Sequence, residues 1–189
     1  MIRTWTSWLA VALLLAAPSE ASSRTVSDIT FAERVQVSDV KLELCSAALL
    51  RWKRIVKAYV AGLYLRSCAD LSRPLSDVPR RLELSYLRGF DGPRFARAAD
   101  TVLARTFSKA ELSPLRERID RLHVAYRRVE TGDRYALTYV PGVGTELALN
   151  GERLALAPGA DFAAAYFAIW LGPDPADARL RDELLAPSP

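Results

Sequence analysis

The last third of the chain, residues 141–185, carries the pattern that most restricts the fold. Asn150 and Gly151 separate two short segments in which apolar residues alternate with polar ones. This dipeptide is a frequent β-hairpin turn, because a type I′ turn needs a positive φ at both central residues. The helix predicted after Gly159, over residues 162–171, is apolar on every side, so it must be buried. The segment therefore predicts a hairpin, a buried helix and then a charged helix over residues 177–185.

The rest of the chain alternates between strand and helix periods. Residues 30–37, 40–50, 54–65 and 81–88 have the period of strands, as do 135–140, 145–149 and 152–156. Residues 54–65 are apolar on both faces, which predicts a central strand covered on both sides. A helical stripe begins at Phe95, and Ser108 with Glu111 forms a capping box that begins a second helix. We therefore expect an α+β open-faced β-sandwich, with one large antiparallel sheet and a helical layer packed on one face.

The first 21 residues have the pattern of a signal peptide. Arg3 precedes an apolar run over residues 5–17, and Ser19 and Ala21 are the small residues that a signal peptidase reads. We expect residues 1–21 to be removed and the protein to be periplasmic or secreted; the alternative is an uncleaved membrane anchor. Residues 22–28 are polar and are expected to be a disordered lead. Residues 29–185 are expected to form a single domain with no stable membrane span.

The two cysteines leave two alternatives open. An oxidising compartment permits a disulfide between Cys45 and Cys68. If the hairpin turns near Arg51, however, Cys45 lies opposite Ala58 and Cys68 lies beyond the strand end, which favours two separate thiols. The chain has one histidine, His123, and no Cys-x-x-Cys pair, so we expect no metal site and no cofactor.

Several other motifs indicate ordinary structure. The arginines of residues 116–128 alternate with acidic residues, which is typical of a solvated helix face and predicts no nucleic-acid partner. Gly142 and Gly144 lie between two strands and predict a turn, because a phosphate loop would need a helix to follow. His123 has no nucleophile near it in the pattern, so no catalytic residue is assigned.

The remaining candidate site surrounds the central strand. Arg51 precedes this strand, and Lys57 and Tyr59 alternate onto one of its faces. A cation and a phenol that meet in an apolar pocket would suit a carboxylate, an enolate or a phenolate. The alternative is an arginine in water and tyrosines that fill the core.

The strand sequence KAYVAGLYL of residues 57–65, preceded by Arg51, resembles the chalcone isomerase-like superfamily, in particular its bacterial secreted branch. The segment from Asp161 to Pro173 carries the same resemblance. In plant chalcone isomerases the matching arginine holds an anionic oxygen, and a threonine at the position of Tyr59 polarises the ketone. Tyrosine at that position resembles the fatty-acid-binding relatives. The enzymes' serine before a proline is matched here by Asp174, which would repel a phenolate.

The resemblance implies a binding protein rather than an enzyme. We expect non-catalytic binding of a small apolar anion such as a fatty acid, with Arg51 and Tyr59 at the acid group and Lys57 as a weaker candidate. The alternative is an isomerase, an intramolecular lyase of the chalcone isomerase type.

Overall fold

The structure, a computed structural model, describes residues 22–52 and 55–186. The predicted signal peptide, residues 1–21, lies outside the described residues. Within these ranges the chain forms nine strands: β1 (Ser23–Val26), β2 (Ile29–Ala32), β3 (Arg34–Val37), β4 (Val40–Trp52), β5 (Val56–Leu65), β6 (Arg80–Tyr86), β7 (Arg134–Val140), β8 (Gly144–Leu149) and β9 (Glu152–Ala157). The helices of the same ranges are α1 (Gly92–Thr106), α2 (Lys109–Leu112), α3 (Arg116–Val124), α4 (Ala160–Leu171) and α5 (Ala178–Leu185).

Strands β3 to β9 form one seven-stranded antiparallel sheet in which neighbours along the chain are also neighbours in space. Short connections join β3 to β4, β4 to β5, β7 to β8 and β8 to β9, because antiparallel neighbours need no crossover. Helices α1, α2 and α3 lie in the long connection between β6 and β7. The turn that contains Gly142 joins β7 to β8, as the sequence predicts. Asn150 has φ 51° and Gly151 has φ 85°, and these positive values fit the predicted hairpin turn between β8 and β9.

The helices cover one face of the sheet, which we call the inner face. Helix α4 is buried against this face, and Phe162, Tyr166 and Phe167 have no exposed surface. They pack in one apolar cluster with sheet residues such as Leu63 and Leu137. Helix α5 is anchored to β4, where the Ser46 hydroxyl donates a hydrogen bond to the Leu184 carbonyl at 2.5 Å. The α+β open-faced architecture and the burial of α4 are thus confirmed.

A separate hairpin, β1–β2, packs on the outer face of the sheet over β4 and β5. Phe31 of β2 is fully buried over Gly62, where an added Cβ would lie 2.9 Å from the Phe31 ring. The Arg134 guanidinium lies 4.7 Å from the centre of the same ring. The central strand β5 is therefore covered on both faces, which was predicted from its apolar pattern.

The expectation of a disordered lead over residues 22–28 is wrong where the structure describes it, because Ser23–Val26 forms β1. Ser27 and Asp28 have φ values of 49° and 67°, which close a two-residue turn between β1 and β2. The strand expected over residues 30–37 is also divided, into β2 and β3. Few apolar residues mark this hairpin, so its strand period is weak in the sequence.

The cysteines form a disulfide, with their Cα atoms 5.2 Å apart. The pairing changes register between Leu44 and Ser46, so Cys45 is a bulged residue beside the end of β5. The predicted position opposite Ala58 is wrong because β4 extends to Trp52, which shifts the register along the hairpin. The interpretation as two separate thiols is therefore wrong as well.

No helix among the described residues is long and apolar enough to cross a membrane.

Candidate ligand-binding cavity

A cavity of about 480 Å³ lies between the inner face of the sheet and helices α1 and α4. Its volume falls within the range of about 300–1,000 Å³ that is typical of small-molecule sites. The lining is mainly aliphatic and aromatic and comprises Leu50, Ala58, Tyr59, Leu82, Leu84, Tyr86, Arg88, Gly89, Phe90, Arg94, Phe95, Ala98, Ala99, Tyr126, Tyr135, Leu137, Leu147, Ile169, Trp170 and Ala176.

Strand alternation places the sheet side of this lining. Leu50, Tyr59 and Tyr86 are cross-strand neighbours on β4, β5 and β6, so all three project from the same face of the sheet. Leu82 and Leu84 line the cavity from the same strand as Tyr86, four and two residues away, respectively. The helical side comes from one face of α1 and from the last turn of α4. Cavity and core are therefore continuous parts of one apolar layer.

Aromatic rings form one wall of the cavity around Tyr86. The centre of its ring lies 5.6 Å from that of Tyr59, 5.7 Å from that of Phe90 and 5.5 Å from that of Phe95. The Tyr135 ring is perpendicular to it at 6.0 Å. Edge-to-face and tilted arrangements of this kind are favourable for aromatic pairs.

The phenol groups of this wall differ in their partners. The Tyr59 hydroxyl accepts a hydrogen bond from the Trp170 indole at 3.3 Å. The Tyr126 and Tyr166 hydroxyls are hydrogen-bonded to each other at 3.0 Å. Tyr86 is buried, and its ring lies between those of Tyr59 and Tyr135.

Burial keeps these phenols neutral. It raises the pKa of Tyr59 above its ordinary value, and the hydrogen bond from Trp170 only partly opposes this. Burial likewise raises the pKa of Tyr86, and the neighbouring phenols raise it further. Each hydroxyl therefore keeps its proton at neutral pH and can donate a hydrogen bond.

The charged residues of the lining are all cationic. Arg88 follows β6, and Arg94 lies in the first turn of α1. No aspartate or glutamate is found among the described residues that line the cavity. A cavity with apolar walls, neutral phenols and cations at its edge is suited to an apolar molecule with an anionic group.

A comparison with protein families matches residues 23–186 to the chalcone isomerase-like family. The chain belongs to this family. Among solved structures it is similar to a fatty-acid binding protein of Arabidopsis thaliana, with a TM-score of 0.66 and 14% sequence identity. The match covers 87% of this chain and 96% of the Arabidopsis chain. At this identity the likeness concerns the fold alone. No curated protein matches the sequence.

The chalcone isomerase-like fold brings one of the three predicted ligand-binding residues to the cavity. Tyr59 lines it, whereas Arg51 and Lys57 do not. Arg51 and Lys57 are paired in register near the end of the β4–β5 hairpin, and both are exposed to solvent. The hairpin extends beyond the cavity there, because Leu50 is the last residue of β4 that lines it. A role for Arg51 and Lys57 in binding stays a prediction.

Asp174 is not part of the cavity lining of this family member. Its carboxylate is half-exposed and accepts a hydrogen bond from Arg105 at 2.7 Å. The interpretation that Asp174 would repel a phenolate in the pocket is therefore wrong. The chain turns at Pro173 after α4 and directs this residue to α1, while Ala176 lines the cavity.

The sequence pattern did not identify Tyr86, Arg88 and Arg94 as site residues, although all three line the cavity. The strand period predicts that Tyr86 faces inward, but it gives no orientation for Arg88 or Arg94. Both arginines flank a strand-to-helix junction that contains Gly92 and Pro93, where a proline in the first turn marks the start of the helix. That junction was the available signal, because chain segments that leave the end of a sheet often surround a ligand.

The other motifs have structural surroundings. The arginines of residues 116–128 are engaged in ion pairs, such as Arg118 with Asp161 at 2.6 Å. His123 is buried on α3, and burial lowers its pKa although Asp100 lies 3.5 Å from its Nδ1. Glu43 lies beside the two cysteines, but their sulfur atoms are joined in the disulfide and are not available to a metal ion.

Proposed function

We propose that this chalcone isomerase-like protein binds a small apolar anion, such as a fatty acid, without converting it. The observation that carries the proposal is the composition of the cavity: apolar walls, neutral phenols and two arginines, with no acidic residue in the described lining. The similar Arabidopsis structure is that of a fatty-acid binding protein, which supports the same class of ligand.

Burial of the tail supplies most of the affinity in this proposal. Each methylene that moves from water into the cavity contributes about 0.8 kcal/mol, or about a fourfold gain in affinity. The acid group contributes mainly selectivity, because a charged group near solvent gives up hydration when it binds a cation. Chain length and head group should therefore affect binding separately.

Titration calorimetry with saturated fatty acids from octanoate to stearate tests the proposal. We expect the affinity to rise by about fourfold for each methylene until the cavity is full, and then to level off. Ala99 lines the cavity from α1, so Ala99→Trp, which fills it, should abolish this binding while the protein stays folded. A control variant, Ala104→Trp, lies on an exposed part of the same helix and should bind as the unaltered protein does. Affinity that is absent, or that does not depend on chain length, would refute the proposal.

We also propose that the protein belongs to the secreted branch of the family and acts in the periplasm or outside the cell. The pattern of residues 1–21 supports this location, and so does the disulfide between Cys45 and Cys68, since disulfides persist in oxidising compartments. Mass spectrometry of the protein from its own host should find a chain that begins at Ser22. Lipid extraction of the same sample would identify a bound ligand. An intact N-terminus in the cytoplasmic fraction would contradict the proposed location.

The second candidate is an intramolecular lyase of the chalcone isomerase type, which the neutral Tyr59 phenol in the cavity favours. Such chemistry needs a held phenolate and a polarised ketone, and a neutral phenol can donate to the ketone. The absorbance of a chalcone, followed with and without protein, separates the two candidates. We expect no acceleration over the uncatalysed cyclisation. A clear acceleration that is lost in Tyr59→Phe would replace the binding proposal with the enzymatic one.

A further inference from the structure

We propose that Arg88 and Arg94 bind the acid group of the ligand at the mouth of the cavity, in place of the predicted Arg51 and Lys57. This inference rests on the proposed function and names the residues that give it selectivity for an anion.

The mouth of the cavity is defined by the lining residues that are exposed: Arg88, Gly89, Arg94, Ala98 and Ala176. The other end of the lining contains four buried leucines, Leu82, Leu84, Leu137 and Leu147. A fatty acid therefore fits with its tail among these apolar side chains and its acid group at the mouth. Since a carboxylate is costly to bury without partners, the acid group belongs at the mouth.

Both arginines of the mouth are available for a ligand. Among the described residues, neither Arg88 nor Arg94 has a carboxylate within 4.0 Å. Asp91 lies between them in sequence, but its carboxylate accepts a hydrogen bond from Arg128 at 3.1 Å. The Arg105 guanidinium near the other end of α1 is bonded to Asp174. Among the described residues, the two cations beside the cavity thus have no acidic partner, whereas Arg105 and Arg128 do.

The position of Arg94 is restrained by the cavity wall. Its guanidinium carbon lies 5.9 Å from the centre of the Phe90 ring, which also lines the cavity. A cation over an aromatic face is held by the quadrupole of the ring and keeps its hydrogen-bond donors at the edge of the plane. A carboxylate at the mouth can accept two parallel hydrogen bonds from such a group.

The structure offers a matched control in Arg51 and Lys57. They are exposed cations at the end of the β4–β5 hairpin, and they do not line the cavity. Removal of either pair lowers the net charge by the same amount, so any difference between the two variants reflects position and not total charge.

The test compares R88Q/R94Q with R51Q/K57Q in calorimetric titrations of palmitate and of hexadecanol, an uncharged ligand with the same tail. We expect R88Q/R94Q to weaken palmitate binding by about ten- to a hundredfold, as for the loss of charge-assisted hydrogen bonds. Hexadecanol binding should be unchanged in both variants, and R51Q/K57Q should bind palmitate as the unaltered protein does. Circular dichroism confirms that each variant is folded.

Four results would overturn the inference. If R51Q/K57Q loses palmitate selectivity and R88Q/R94Q keeps it, the anchor is the pair that the family resemblance implies. If both variants keep it, the acid group binds neither pair. If the unaltered protein binds neither palmitate nor hexadecanol, the proposed function fails first and this inference fails with it. Binding of hexadecanol with no preference for palmitate would refute the anion anchor alone.

Discussion

Reduction of the Cys45–Cys68 disulfide should lower the stability of the fold substantially. The bond joins the bulged residue of β4 to the short 3₁₀ turn (Cys68–Ser72) that follows β5, across a sequence separation of 23 residues. In the unfolded chain this link removes the entropy of an open loop. For a loop of roughly this length the chain-entropy relation gives about 3 kcal/mol at 25 °C.

The reduced protein separates this entropic effect from packing. Cys45 is buried, so its replacement by alanine also removes a packed sulfur atom, whereas reduction keeps both sulfur atoms in place. We therefore expect the reduced protein to lose about 3 kcal/mol and the double variant C45A/C68A to lose about 1 kcal/mol more. For a chain of this size, a loss of 3 kcal/mol corresponds to a fall in Tm of roughly 10 °C.

Urea unfolding, monitored by circular dichroism with and without a reductant, measures the difference directly. The C45A/C68A variant in the presence of reductant controls for effects of the reductant itself. Two findings would refute the reasoning. One is an equal midpoint for the oxidised and reduced protein. The other is the detection of two free thiols after the untreated protein is denatured.

Three further predictions follow from the cavity and the outer hairpin. The free energy of unfolding should fall as pH rises above about 10, because tyrosines of the unfolded chain lose their protons there while the buried phenols of the folded protein keep theirs. Burial lowers the pKa of Arg80 to about 10, so this single group has the opposite effect. Urea midpoints measured across this pH range show whether stability falls or rises. Gly62→Ala should lower the free energy of unfolding by about 1–3 kcal/mol because the new Cβ meets the Phe31 ring, and adding F31L should restore part of this loss. Equal stability of the unaltered and Gly62→Ala proteins would contradict this prediction. Ala99→Leu should raise the Tm of the ligand-free protein and weaken fatty-acid binding, since cavity filling typically adds about 0.5–2 kcal/mol; a lower Tm with intact binding would show that Ala99 does not face the cavity.

Local periodicity was sufficient for most of the fold. The positions of most strands, the burial of α4 and the placement of Tyr59 on an apolar face follow from periods of 2.0 and 3.6 residues, which are properties of neighbouring residues. The register of β4 on β5 depends on irregular pairing near Cys45 and between Leu50 and Arg51, and a bulge has no period of its own. For this reason the disulfide could not be decided from the sequence.

The same limit explains the missed arginines. Arg88 lies in the connection after β6, and Arg94 lies in the first turn of α1. At such positions neither the strand period nor the helix period predicts the direction of a side chain. The family resemblance predicts Arg51 as the anion-binding residue, but the register places Arg51 beyond the cavity. Site residues on regular elements were therefore easier to predict than those at the junctions between elements.

The cavity itself is an argument for a ligand. Protein interiors are normally filled to a high density, and a domain built only for stability would place larger side chains at such positions. Here the lining has alanine at residues 58, 98, 99 and 176, beside large aromatic rings that hold the walls apart. The space is therefore maintained at a cost in packing, and a bound apolar tail would restore the lost contacts and stabilise the folded state by mass action. Increasing concentrations of palmitate should consequently raise the Tm of the unaltered protein in thermal melting experiments. The rise should disappear in Ala99→Trp, in which the new side chain fills the cavity.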